Sequence, residues 1–149
     1  GLLTLTESLI MGLEQINKLE QSVVATLNID GWNLEWTGKG YLPYDAKGYT
    51  PKGKDCVVEM KFRTKYYEDK MLEVDKYESM MSLDKDILKF YFVNDPKGNF
   101  MYWLNDIELP ETTSMYCPDT TMWTKKKVLK DVYLLTENQA TIININKMN

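Results

Sequence analysis

Cys56-Val57-Val58-Glu59-Met60-Lys61-Phe62-Arg63 is a run of β-forming residues with two opposite charges in its middle. Drawn as a strand, it puts Cys56, Val58, Met60 and Phe62 on one face and Val57, Glu59, Lys61 and Arg63 on the other. The first face reads as core, so Cys56 is expected to be a buried thiol and not a nucleophile. On the second face Glu59 and Lys61 point the same way. A solvated face or a structural ion pair accounts for such a pair as well as a reactive site does. The surrounding sequence has to decide.

Upstream, Leu42-Pro43-Tyr44-Asp45-Ala46 alternates too: Leu42, Tyr44 and Ala46 share one face and Asp45 takes the other. Residues 49–54 contain Pro51 and Gly53 and read as a turn. A strand over 41–48 paired with one over 55–63 brings Asp45 beside Glu59; otherwise Asp45 is a turn residue. Further back, residues 7–28 are helical, with Leu9, Leu13, Ile16, Val23, Val24 and Leu27 on one stripe. Thr6 suits the cap, and Asn, Asp and Gly cluster at the end near 28–31. Glu20 falls in the middle of that stripe, whereas Glu7 and Glu14 lie off it. A carboxylate aimed at an interior is costly unless it binds a cation, pairs, lines a wet cleft or reaches water at the stripe's edge.

The remaining elements read as a strand over 32–37 and a helix over 65–81, the latter with Tyr67, Met71, Val74, Tyr77 and Met81 on one stripe. Residues 87–93 and 100–104 form a hairpin about the turn 95–99, and 105–123 is irregular, with Pro110 and Pro118. Residues 128–135 and 140–145 form a last hairpin across 136–139. The fold class is α/β (α+β): a mixed central sheet flanked by helices, order α-β-β-β-α-β with extra C-terminal strands, in one domain over residues 1–149. Met71, Met80 and Met81 are expected in the core, and Trp32, Trp36 and Trp103 as packing residues.

Composition narrows the chemistry. With 149 residues, 44% of them hydrophobic and 27% charged, a core is affordable. There is no histidine, which removes Ser-His-Asp and Cys-His catalysis and His-ligated zinc. Cys56 and Cys117 have no metal-ligand spacing and read as buried thiols of a reducing compartment. No apolar run is long enough to span a membrane and no secretory signal is read, so the expected setting is cytoplasmic. The net charge of −4 argues against a simple polybasic binder, yet residues 39–70 carry eight bases against five acids. A second basic block, Lys125–Lys130, opens the strand over 128–135 and is either a further contact or an edge guard.

Glu20, Asp45 and Glu59 together offer oxygen ligands suited to Mg²⁺ or Mn²⁺, and the Met60 carbonyl adds another. Lys61 would hold or deprotonate a water, or neutralise charge growing on a phosphate.

The order helix-Glu20, strand-Asp45, turn, Glu59-Met60-Lys61, helix resembles the PD-(D/E)XK nuclease superfamily, with Tyr44 where the motif's name has Pro. Glu20 to Leu27, followed by Gly31-Trp32, is similar to the first helix of archaeal-type Holliday-junction resolvases. The run from Val57 to Arg63, then Tyr67 and Leu72 to Tyr77, resembles phage-type nucleases, in some of which a Gln, Lys or Tyr of the second helix supports the site; Lys76 and Tyr77 match that position. The resemblance spans roughly residues 13–93 and implies a restriction-endonuclease-like core. It also implies divalent-metal hydrolysis of DNA, leaving 5′-phosphate and 3′-hydroxyl ends. Lys39, Lys47, Lys52, Lys54, Arg63 and Lys65 become candidate contacts to a branched or duplex DNA, and resolving a junction would call for a homodimer. The competing readings are a non-catalytic descendant of this fold that binds DNA or inhibits a partner, and an unrelated α+β interaction protein.

Overall fold

The computed structural model describes residues 5–38, 40–118 and 127–143, and for residues 5–11, 118, 142 and 143 the backbone alone. Helix α1, Leu5–Ile29, buries Glu20, Val23, Val24 and Leu27 along the expected stripe. It stops where Gly31 takes a φ of 100° and the N–H groups of Asp30 and Trp32 both return to the Leu27 carbonyl. The Asn28 side chain then donates to and accepts from the Leu34 backbone, at 3.0 and 2.8 Å, fixing the helix end to the first strand.

That strand, β1 (Asn33–Trp36), opens a sheet with β2 (Ala46–Tyr49), β3 (Asp55–Phe62), β5 (Leu88–Asp95), β6 (Gly98–Trp103) and β9 (Thr141–Ile143), in the order β1-β2-β3-β5-β6-β9. Only β3 and β5 run parallel, so the sheet is mixed. A second, antiparallel sheet orders β4 (Lys70–Glu73), β8 (Lys127–Leu135) and β7 (Thr113–Pro118) as β4-β8-β7. Helix α2, Val74–Met81, follows β4.

The central sheet is covered on both faces. Val23, Val24 and Leu27 of α1 pack on Leu34, Ala46, Cys56, Val58 and Met60. On the other face Val57, Tyr91, Val93 and Tyr102 meet Leu72, Met80 and Leu135 from β4, α2 and β8. Cys56 and Cys117 are both buried and free. Among the described residues no helix is long and apolar enough to cross a membrane.

Several expected boundaries move. The helix expected over 65–81 is only its second half: residues 70–73 are extended, because Lys70 to Glu73 find a ladder on β8 and bury Leu72 completely. A pairing some sixty residues away in sequence overrides a good local helical stripe. The strand expected over 41–48 begins only at Ala46. Part of the irregular stretch 105–123 is strand β7. The expected final hairpin does not form: β8 and β9 belong to different sheets, and Thr136–Gln139 is a capping-box turn that hands the chain from one to the other.

Gly48, at a φ of 154°, lies so close to the Asn33 carbonyl that a Cβ there would overlap it and crowd Leu34 Cα at 2.9 Å. Both obstacles are backbone and cannot swing away. Gly48→Ala is therefore expected to lower stability by about 2 kcal/mol or more, read as a lowered urea midpoint with an unchanged slope.

Candidate active site

The site forms where two strands part. The β2–β3 ladder ends at Ala46 opposite Val58, with one more backbone bond from Asp45 N–H to the Val58 carbonyl at 2.9 Å. Pro43 has no N–H to extend it. The next outward N–H on β3, that of Met60, is taken by Asp45 Oδ2 at 2.8 Å. N–H and C=O of one strand residue share an edge, so the Met60 carbonyl lies on this parted edge and not in the ladder with β5.

Side chains reach the gap from both faces of the sheet. Glu20, 2% exposed, comes from α1, and Glu59, 7% exposed, from the opposite face. With Asp45, Met60, Lys61 and Lys76 they line one cavity of about 240 Å³. Trp36 Nε1–H donates to Glu20 Oε1 at 3.0 Å. Lys76 Nζ, from α2, meets Glu59 Oε1 at 2.8 Å, with its own side chain half exposed.

Burial, then the nearby charges of Asp45 and Glu20, push the Glu59 carboxyl up to about 7, against the pull of Lys76. Burial, then Arg63 and Lys76, hold Lys61 below the ordinary lysine value. For Lys76 burial works downward, but the Glu59 carboxylate outweighs it and the group sits above its ordinary value. Burial, helped by Asp55, raises the Cys56 thiol to about 12, which leaves it inert as a nucleophile.

The Glu59 shift has a sign that thermal melts can read. From pH 4.5 to about 7 the folded chain keeps a proton there that the unfolded chain has lost. In chelator, wild type is therefore expected to lose stability relative to Glu59→Gln as pH rises through that window. A difference that is flat with pH would contradict it.

The donor set fits a hard divalent cation: carboxylates and a main-chain carbonyl edge around one polar cavity. Among the described residues no three acidic side chains already stand as a closed metal cluster. Glu59 is held instead by the Lys76 ammonium, which occupies the place of a counter-cation.

Of the other expected residues, Arg63 borders the adjoining cleft with Glu59 and Lys61. Lys65 lies 5.7 Å from the Tyr67 ring. Tyr77 is not at the cavity; it packs edge-on against Tyr133, with ring centres 5.4 Å apart. Lys47 faces a separate groove with Glu35, Tyr49 and Asp55. Lys52 and Lys54 are exposed in the β2–β3 turn, at the end of β3 away from Glu59. Lys39, Trp123, Lys125 and Lys126 lie outside the described residues. Trp32 and Trp36 pack on the α1 face, while Trp103 is 45% exposed.

Sequence reading missed two contributors. Trp36 anchors Glu20, and its alternation with the buried Leu34 was the available signal. Glu73, paired to Lys130 at 2.8 Å, walls the adjoining cleft and gave no signal, because β4 was read as helix.

No family model and no curated protein matches the chain. Among solved structures it is similar to Hjc, a Holliday junction resolvase from the archaeal hyperthermophile Archaeoglobus fulgidus. The TM-score is 0.58 at 13% identity, over 85% of this chain and 89% of that one. Likeness at that identity establishes a shared fold.

Proposed function

We propose that this chain is a divalent-metal-dependent endonuclease of the PD-(D/E)XK type, acting on DNA with branched DNA as the leading substrate. One observation carries the reading. Glu20 of α1, Asp45 just before β2, and Glu59 and Lys61 of β3 line the same cavity at the parted edge of β3. The shared fold with a junction resolvase supports it.

The reaction is hydrolysis: water adds at phosphorus, the P–O3′ bond breaks, and the leaving oxygen takes a proton. Glu20, Asp45, Glu59 and the Met60 carbonyl would hold Mg²⁺ or Mn²⁺, which would supply positive charge against the reacting phosphate and a more acidic water. Lys61, its proton loosened by burial and by Arg63, orients the attacking water or covers charge growing on the phosphate. Lys76 neutralises Glu59 without metal and is free to turn outward, its stem being half exposed. Arg63 and Lys65 continue the positive rim for the phosphate backbone. Resolving a four-way junction would need two such sites in a homodimer.

A second reading, a DNA-binding module that has lost catalysis, is favoured by the Lys76–Glu59 ion pair. Titration calorimetry of Mn²⁺ into wild type and Asp45→Ala, with cleavage of duplex and four-way-junction DNA in Mg²⁺ or chelator, separates the two. Metal-dependent cleavage is expected. DNA binding with neither metal uptake nor cleavage would leave the module.

A further inference from the structure

Beside the proposed catalytic cavity lies a second depression that the chemistry above does not use. Its volume is about 520 Å³, within the roughly 300–1,000 Å³ range of small-ligand sites. Its floor is one face of the second sheet. Register puts Met71 opposite Leu134 and Met115 opposite Lys130, while Cys117 Sγ sits 3.8 Å from Met71 Sδ. Tyr67, 51% exposed, rises at its side from the loop before β4. Arg63 and Lys127 border it, and Glu68 and Asp69 close another part of the rim.

The groove is not isolated. It shares Arg63, Met71 and Cys117 with the cleft that also holds Glu59, Lys61 and Lys76, and those three line the proposed catalytic cavity. Arg63 follows Lys61 by two residues on the same strand face, a step of about 7 Å. That is about two stacked base steps of 3.4 Å.

The geometry points to a subsite for an unpaired nucleobase of the substrate strand next to the scissile phosphate. It rests on the nuclease reading and deepens it by naming the substrate class: DNA with an extrahelical or single-stranded nucleotide at the cut. A base has two apolar faces, and this groove supplies thioether sulfur, a leucine and a tyrosine ring. A paired base cannot enter it, because its face is covered by its neighbours. Arg63 and Lys127 are placed for the flanking phosphates, while Glu68 and Asp69 repel phosphate and confine the backbone to the Arg63 side. Stacking is tolerant of sequence, so the subsite selects structure and not a base identity.

The test uses wild-type protein in chelator and a duplex with one bulged 2-aminopurine, beside the fully paired duplex and the matching RNA. The bulged DNA is expected to bind about tenfold tighter than the paired duplex, with its fluorescence quenched. Tyr67→Ala and the uncharged Met115→Ser, both at exposed positions, are expected to erase that preference and leave affinity for the paired duplex unchanged. Tyr67→Phe should retain it. Equal binding of bulged and paired DNA, or a preference untouched by both Tyr67→Ala and Met115→Ser, overturns the subsite. So does a dimer-to-monomer change in these variants without a change in preference, which would assign the groove to a second copy of the chain. A preference for the bulged RNA over the bulged DNA overturns the substrate class. If the preference for bulged DNA is absent while DNA is still cut in a metal-dependent way, the subsite fails alone; if no nucleic acid is bound or cut, both readings fail.

Discussion

Asp45→Asn is expected to cut DNA cleavage by at least about 10²–10³-fold while leaving the fold intact. The substitution is chosen because Asp45 has two separable duties. Its Oδ2 accepts the Met60 N–H at 2.8 Å and so ends the β2–β3 ladder cleanly. An asparagine carbonyl accepts the same bond, so urea midpoints should barely move. What disappears is the negative charge beside Glu59. Without it Glu59 gives up its proton more readily, so the folded-state value near 7 should fall. A variant that melts like wild type, titrates Glu59 lower and has lost cleavage identifies the charge as the working part. Wild-type cleavage in that variant would remove Asp45 from the chemistry.

The largest expected loss of stability belongs to a residue far from that cavity. Lys70 is buried with its ammonium bonded to Asp95 Oδ2 at 2.6 Å, to Glu137 Oε1 at 3.1 Å and to the Tyr67 carbonyl at 2.6 Å. The rings of Tyr66 and Phe100 lie 4.5 and 4.4 Å away. Asp95 in turn accepts the N–H groups of Lys97 and Gly98 in the β5–β6 turn. Lys70→Met keeps the volume but leaves the Asp95 carboxylate buried without a counter-charge. The cost is about 3–5 kcal/mol, or roughly 10 °C in Tm for a chain of this size. Lys70→Met with Asp95→Asn should recover part of it, since the double variant no longer buries a lone charge.

The central strand, the first helix and the polar intruders in both were legible because their signals are local. Glu20 stood inside a clean apolar stripe, and Glu59 with Lys61 stood on a strand otherwise fit for burial. The wall of the adjoining cleft was not legible. Residues 65–81 carry a helical stripe throughout, yet 70–73 become a strand because β8 is there to receive them. No local rule sees a partner so far along the chain. The same blindness joined β8 to β9 as neighbours, when the Thr136–Gln139 turn sends them to different sheets. Tyr77 had a matching position in sequence, but Tyr133 of β8, a strand expected elsewhere than beside β4, holds it in packing.

The middle place of β8 in the second sheet also sets an order of assembly. Helix α1 and strands β1, β2, β3 and β5 all lie within the first 95 residues, and the parted edge at Asp45 needs only these. Strand β4, by contrast, waits as an unpaired edge until residues 127–135 arrive and close a long loop. On a ribosome the carboxylate cavity can therefore take shape before the groove beside it exists. Met71 and Glu73 gain their final positions only once residues 132–135 have been made, and amide exchange in β4 should track β7 and β8, not β3.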